Sequence, residues 1–222
     1  MKKFSPILLI AGVLVLAIGG GALLYRMQGE TGPAPKPGTT VNRPIPLGAQ
    51  PEHIRGRSDA PILVEEFGDF ECPVCGQFYK VLKQVESEYG SQVKVVFREY
   101  PIQQIHPHAL EGAHAAEAAG IQGKFWEMHD LLYENQETWA KETNPIQTFD
   151  TYASSLGLDV TKFNNDMNGN VVSSRIMEDD KRRSARGVTG TPTIFIDDQL
   201  QSNRSIDGLR NAINQALKEK GL

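Results

Sequence analysis

The stretch PILVEEFGDFECPVCGQFYKVLKQVESEYGSQVKVVFREY at residues 61–100 decides the fold. Its first part, 61–67, is apolar and β-branched, which is typical of a strand. Residues 78–89 repeat apolar side chains at three- and four-residue spacing and stop before Gly90, which predicts an amphipathic helix. Residues 93–100 predict a second strand. Strand, helix and strand in this order form the unit of a parallel sheet pair.

The rest of the chain predicts a helical middle and a return to the sheet. Alanine-rich and amphipathic patterns indicate helices through an insertion of the α/β domain at about 106–187. Strands resume at 193–197, and Ser205-Ile206 is expected to be a short edge strand. A last helix is expected over 208–220.

The N-terminal segment decides the compartment. Lys2 and Lys3 precede an uncharged apolar run at 7–25, which is long enough to span a membrane. The glycines and alanine at 19–22 offer a cleavage site, so a cleaved signal peptide is the alternative to an uncleaved anchor. The length of the run favours a single-pass anchor, and the lysines keep the N-terminus cytoplasmic. The rest of the chain is then expected outside the cytoplasm.

Three segments follow from this organisation. Residues 1–26 form the cytoplasmic tip and the transmembrane anchor, or a signal peptide. Residues 27–53 are rich in proline, which is typical of an extended linker, although a poorly ordered tail predicts nearly the same. Residues 54–222 form the globular domain.

Composition excludes several classes of protein. The chain has 222 residues, of which 40% are hydrophobic and 23% charged, and this is globular composition. A net charge of −4 disfavours a basic surface for nucleic acid. The two cysteines, Cys72 and Cys75, exclude a multi-disulfide scaffold and a four-cysteine zinc site.

The cysteine pair carries the chemistry. Cys72 is expected at the start of the helix after the first strand, with Pro73 as the first helical residue. The free N–H groups and the helix dipole stabilise a thiolate there and lower its pKa. Cys75 follows one turn later, within disulfide reach. A half zinc site would need two more ligands, and a purely structural disulfide this short would add little stability.

These residues also resemble a known family. Residues 59–78, with EFGDFECPVC at 66–75, resemble the DsbA family of thioredoxin-fold thiol-disulfide oxidoreductases. GVTGTPT at 187–193 resembles the cis-proline loop of that family, and FWEMHD at 125–130 resembles its helical insertion. The resemblance covers about residues 54–220. It implies a thioredoxin fold with a helical insertion, here preceded by the N-terminal transmembrane helix.

The resemblance implies roles for single residues. Cys72 is the expected nucleophile and Cys75 the resolving cysteine. Pro192 is the expected cis-proline and Thr191 its substrate-facing neighbour. Pro73 and Val74, between the cysteines, are expected to face the substrate. Val74 adds no cation, so it stabilises the thiolate less than the histidine of the best-known family member.

Glu66 matches the buried acid that assists proton transfer at Cys75 in the family. The sequence itself leaves this assignment open, because strand alternation lets either Glu65 or Glu66 face inward. The other glutamate is then expected in solvent. Asp69 is read either as a turn residue or as part of the site. The run Glu178-Asp179-Asp180 and the three basic residues after it are expected on a solvated helix face.

The resulting hypothesis is a membrane-tethered thiol oxidase on the outer side of the cell membrane. It would introduce disulfides into reduced exported polypeptides, and a quinone-linked membrane partner would reoxidise it. No cofactor, metal or nucleic acid is implied. A reductase or isomerase using the same cysteines is the alternative, followed by a thioredoxin-fold binding module.

Overall fold

A mixed five-stranded sheet forms the centre of the described structure. The computed structural model describes residues 44–222. In this part of the chain the strands lie in the order β1-β3-β2-β4-β5. Only β2 and β3 run parallel, and the other neighbours are antiparallel. The strands are β1 (Ile54–Gly56), β2 (Ile62–Gly68), β3 (Val93–Glu99), β4 (Thr193–Ile196) and β5 (Gln199–Leu200).

The predicted strand-helix-strand unit is present. Helix α1 (Pro73–Tyr89) connects β2 to β3, and Gly90 ends it with a positive φ of 49°. A 3₁₀ turn, Gly90–Gln92, leads directly into β3. Helix α1 buries Phe78, Leu82 and Val85 against the sheet, as the apolar spacing predicts. The unit therefore places the start of α1 at the edge where β2 and β3 end.

Six helices lie between β3 and β4 in the described chain. They surround a core that includes Trp139, Phe149 and Phe163, all fully buried. Phe70, from the loop before α1, packs into the same core. The insertion is thus attached directly to the loop that precedes the cysteines. The helices are α2 (Ala109–Ile121), α3 (Phe125–Glu134), α4 (Gln136–Trp139), α5 (Ile146–Ser155), α6 (Val160–Met167) and α7 (Asn170–Ala185).

The end of the chain differs from the sequence prediction. Ser205-Ile206 is not an edge strand, because Ser205 is the N-cap of helix α8 (Ile206–Glu219) and its hydroxyl accepts the Gly208 N–H at 3.1 Å. The edge strand is β5 instead. A serine N-cap stabilises the start of a helix by about 1 kcal/mol, so a helix start is favoured here over a strand of two residues.

The acidic run in α7 is not a solvated face throughout. Asp179 is buried, and its carboxylate accepts the N–H groups of Ala49 and Glu99 at 2.8 and 3.1 Å. Arg98 donates to it at 3.3 Å. Helix α7 packs on the second face of the sheet. The side of α7 that carries Asp179 is therefore buried against the sheet and does not face water.

The segment before Ile54 also contacts this covered face. The carbonyls of Pro46 and Ala49 accept hydrogen bonds from Arg182 and Arg98 at 2.8 and 3.1 Å. Ala49 is buried. The packed surface therefore extends upstream of Ile54, the start that the sequence predicted for the domain.

The predicted transmembrane segment, residues 7–25, lies outside the described residues, as does the linker up to residue 43. Between residues 44 and 222, none of the helices combines the length and the apolar character that crossing a bilayer requires.

Candidate active site

Cys72 lies where the chain leaves β2 and enters α1. It is the N-cap residue, with extended backbone, and Pro73 is the first helical residue as predicted. The Cys72 N–H donates to the Asp69 carbonyl at 3.1 Å. Cys72 and Cys75 are both free thiols.

The Cys72 thiol has a lowered pKa of about 5. The largest cause is the hydrogen bond from the Cys75 thiol, and the backbone N–H groups of Cys75 and Val74 act in the same direction. Burial opposes them. The sequence predicted the effect of the helix start, but the contribution of the second thiol requires the three-dimensional arrangement.

Cys75 is the opposite case. Its side chain is fully buried, and burial raises its pKa well above the ordinary value. The hydrogen bond to Cys72 and the charge of Glu66 add to the rise. The pKa values of the two thiols in this motif are therefore far apart, so that Cys72 is a thiolate and Cys75 keeps its proton at neutral pH.

Glu66 lies on the face of β2 that α1 covers. Its neighbours across the sheet are Phe97 and Ile194, and its Oε1 has no hydrogen-bond partner. Burial raises its pKa to about 8, and the charges of Glu86 and Cys72 add to this rise. A carboxyl group in this state holds a proton near neutral pH and can exchange it with a thiol.

Strand alternation predicted that either Glu65 or Glu66 would face solvent, and this prediction is wrong. Both side chains are buried, with 2% and 1% exposure, because helices cover both faces of the sheet. Glu65 points to the other face, where it pairs with three arginines. Glu66 has none. The arginine partners of Glu65 are Arg98, Arg182 and Arg186, at 2.9, 2.6 and 3.3 Å.

The loop before β4 lies against Cys72. The Thr191–Pro192 peptide bond is cis, and the Cys72 thiol donates to the Thr191 carbonyl at 3.7 Å. Val74 is half exposed beside the cysteines. The structure thus brings together all seven residues that the sequence indicated for the site, namely Glu66, Cys72, Pro73, Val74, Cys75, Thr191 and Pro192.

Sequence reasoning missed how the loop at 69–71 is held. Asp69 is buried, and its carboxylate accepts the N–H groups of Glu71 and Ile102 at 2.8 and 2.9 Å. It also contacts Nδ1 of His106 at 2.8 Å. Asp69 therefore belongs to the structure of the site, and it is more than a turn residue.

The helical insertion adds a second contact to this loop. The Gln136 carboxamide donates to the carbonyls of Phe70 and Cys72 at 2.7 and 2.8 Å. No local pattern in the sequence points to this residue, which lies 64 positions after Cys72. In the part of the chain that the structure describes, no group of three or more His, Cys, Asp or Glu side chains is arranged to hold a metal ion.

Comparison with known proteins agrees with this fold. Residues 49–215 match the sequence model of a family described as thioredoxin. BdbD from Bacillus subtilis in its oxidised form has a TM-score of 0.68 at 22% identity, over 79% of this chain and 100% of that one. A thioredoxin-like oxidoreductase from Silicibacter pomeroyi has a TM-score of 0.64 at 26% identity, over 75% of this chain and 92% of that one. The structures therefore share the fold.

Curated relatives include sodium/proton antiporters. A Na⁺/H⁺ antiporter, NhaA 1, from Salinispora arenicola is 33% identical over 216 residues, which is 92% of this chain. NhaA 3 from Salinispora tropica is 34% identical over 195 residues. The chain spans about a third of the length of these relatives, 32% and 29%. The similarity therefore concerns a segment of each antiporter.

Proposed function

We propose that this chain, which belongs to the thioredoxin family and is a DsbA-like member of it, oxidises thiols of other proteins through Cys72 and Cys75. The observation that carries the proposal is the contrast between the two thiols. Cys72 has a pKa of about 5, whereas burial raises the pKa of Cys75 well above its ordinary value. With this contrast, Cys72 is suited to be the attacking and leaving thiolate, and Cys75 is suited to resolve a mixed disulfide on Cys72.

The reaction begins with the oxidised enzyme, in which the two cysteines form a disulfide. A substrate thiolate attacks Sγ of Cys72, a substrate-enzyme disulfide forms, and the Cys72–Cys75 bond breaks. Cys75 leaves as a thiolate and takes the proton of Glu66. A second substrate thiolate then attacks the substrate sulfur of the mixed disulfide, and Cys72 leaves as a thiolate. The substrate loses two electrons, and the enzyme gains them.

The direction of exchange follows from the Cys72 thiolate. Any interaction that stabilises this thiolate stabilises the reduced enzyme, and so makes its disulfide more oxidising. We expect a reduction potential well above the value of about −270 mV for thioredoxin. We expect it below about −120 mV, because Val74 brings no charge to the thiolate.

The surface around Cys72 fits a polypeptide substrate. The Thr191 carbonyl lies 3.7 Å from the Cys72 sulfur, and Val74 presents an exposed apolar side chain beside it. An extended substrate can pair its backbone with Thr191 while its sulfur reaches Cys72. Pro73, Val74 and Pro192 would form the apolar floor of this contact.

We propose that the reaction takes place outside the cytoplasm. The apolar run at 7–25, after Lys2 and Lys3, supports a single-pass anchor with the domain outside the cytoplasm. The substrates would then be reduced exported polypeptides. A membrane partner that passes electrons to quinone would return the cysteines to the disulfide. N-terminal sequencing of the mature protein distinguishes an anchor from a cleaved signal, since a start after Gly20 or Ala22 excludes the anchor.

Cysteine variants test the proposed exchange. Purified protein is mixed with a reduced, unfolded substrate, and free thiols are alkylated for a gel-shift assay. Cys72→Ser should abolish oxidation. Cys75→Ser is first converted to a mixed disulfide with glutathione on Cys72. A substrate thiolate should then attack Sγ of Cys72 and displace glutathione as a thiolate, so that the variant stays joined to the substrate by a disulfide. Equal trapping by both variants would contradict the assigned roles.

Equilibration with glutathione tests the direction. A potential at or below that of thioredoxin would favour a reductase. Rearrangement of scrambled disulfides faster than oxidation of dithiols would favour an isomerase. A binding module would give a third result. The wild-type protein would show no exchange, and Cys72→Ser and Cys75→Ser would bind unfolded polypeptides as well as the wild type does.

A further inference from the structure

Gln136 reaches from the helical insertion into the loop that carries Cys72. Its Nε2 donates one hydrogen to the carbonyl of Phe70 at 2.7 Å and the other to the carbonyl of Cys72 at 2.8 Å. The side chain is buried, with 8% exposure. Both hydrogens of the amide are therefore used on the backbone of one short loop.

The contacted carbonyl of Cys72 is also the first acceptor of helix α1. It accepts the Gly76 N–H at 3.1 Å, in addition to the Gln136 amide. The backbone of Cys72 is thus held from two directions. This matters for the sulfur, because the N–H groups of Val74 and Cys75 must point at it to stabilise a thiolate.

Gly76 makes room for this amide. A Cβ at position 76 would overlap Oε1 of Gln136 and lie 3.0 Å from its Cδ. Glycine inside a helix costs about 1 kcal/mol relative to alanine. The helix therefore accepts an unfavourable residue in its first turn, at the position where the amide enters.

Gln136 is itself rigidly supported. It begins helix α4, which ends at the fully buried Trp139. The Trp139 indole donates to the Leu132 carbonyl at 2.7 Å. The helix that carries Gln136 is therefore anchored in the core of the insertion.

We propose that Gln136 is a positioning residue that holds the Cys72 backbone so that the sulfur stays in reach of the N–H groups of Val74 and Cys75. Through it, the helical insertion sets the reactivity of the nucleophile. This proposal rests on the proposed function, in which Cys72 is the attacking and leaving thiol. Gln136 touches neither the sulfur nor the substrate in this role.

Gln136→Met tests the proposal, since methionine has a similar length and donates no hydrogen bond. The readout is the pH at which the rate of alkylation by iodoacetamide reaches half its maximum, together with the equilibrium constant against glutathione. We expect this inflection to move upward by about one pH unit, because the thiolate loses aligned donors. The disulfide form of the variant should become about tenfold more favoured.

Gln136→Glu should produce a larger change in the same direction. A carboxylate offers no hydrogen to the two carbonyls and repels them. Gln122→Met is the matched control. The Gln122 amide also donates to a backbone carbonyl, that of Asp159 at 3.1 Å, between the end of α2 and the start of α6. Its inflection should stay at the wild-type value.

Gly76→Ala provides an independent variant, because its methyl group displaces the amide while leaving Gln136 in the chain. It should raise the inflection as Gln136→Met does. Gly76→Ala combined with Gln136→Met should give no more than either change alone, since both remove the same contact. This variant also keeps the test decisive if Gln136→Met does not fold.

The outcomes separate the two proposals. Inflections at the wild-type value in the Gln136 variants and in Gly76→Ala, even with lowered thermal stability, would overturn the positioning role. They would leave thiol exchange intact. A wild-type protein without a low inflection and without exchange would instead overturn the proposed function itself.

Discussion

Replacing Glu66 with glutamine should change how the stability of the protein depends on pH. Burial raises the pKa of Glu66 from its ordinary value of 4.5 to about 8 in the folded protein. Since each pKa unit corresponds to about 1.4 kcal/mol, folding disfavours the charged carboxylate by about 5 kcal/mol. The carboxyl group is 1% exposed, so water does little to reduce this figure.

The sign follows from the number of bound protons. Between pH 4.5 and about 8, the folded protein keeps a proton on Glu66 that the unfolded chain has released. The free energy of unfolding therefore falls as the pH rises through this window. The contribution of the neutral acid is complete below pH 4.5 and is lost above about pH 8. Glutamine cannot ionise, so the variant should lack this loss.

Urea unfolding of the reduced proteins from about pH 5 to about pH 9 measures the effect. Titrating groups that both proteins share and that do not interact with Glu66, such as Glu99, cancel in the difference between them. We expect Glu66→Gln to gain about 4 kcal/mol in the free energy of unfolding, relative to the wild type, between the two ends of this range. Glu178→Gln, on the surface, should give a small and constant difference. A constant difference for Glu66→Gln as well would refute the raised pKa.

Three further outcomes follow from the described contacts. The alkylation rate of wild-type Cys72 should rise through an inflection near pH 5 and then level off, as followed by mass spectrometry. Asp179→Ala should lower the free energy of unfolding by at least about 2 kcal/mol in urea, because it leaves two buried N–H groups without an acceptor, whereas Asp180→Ala should change it little. In the resolving step, Glu66→Gln should slow release of a mixed disulfide on Cys72 most strongly where Glu66 would act as the base, above about pH 8.

Local patterns were sufficient for the parts of the fold that depend on neighbours in sequence. The spacing in α1, its proline start and its glycine stop are all properties of adjacent residues, and the helix lies at Pro73–Tyr89. The error at Ser205 is also local. Ser205-Ile206 is compatible both with the start of a helix and with a short strand. Only the hydrogen bond from the Gly208 N–H to the Ser205 hydroxyl distinguishes the two.

The burial of charged residues could not be read from the sequence. Alternation assumes a solvent-facing side of the sheet, but α7 covers the side to which Glu65 points. Asp179 is buried for the same reason. These side chains are satisfied by partners far away in the chain, and long-range pairs leave no periodic signal. Gln136, which contacts the cysteine loop from the insertion, was missed on the same ground.

The two edges of the described sheet are short. β1 has three residues and β5 has two, so each edge offers few free backbone groups to another chain. A long free edge is a template on which unfolded polypeptides pair and aggregate. A protein whose proposed substrates are unfolded chains meets this hazard at every encounter. Short edges would leave such a substrate few backbone groups to pair with outside the proposed contact at the cysteine loop.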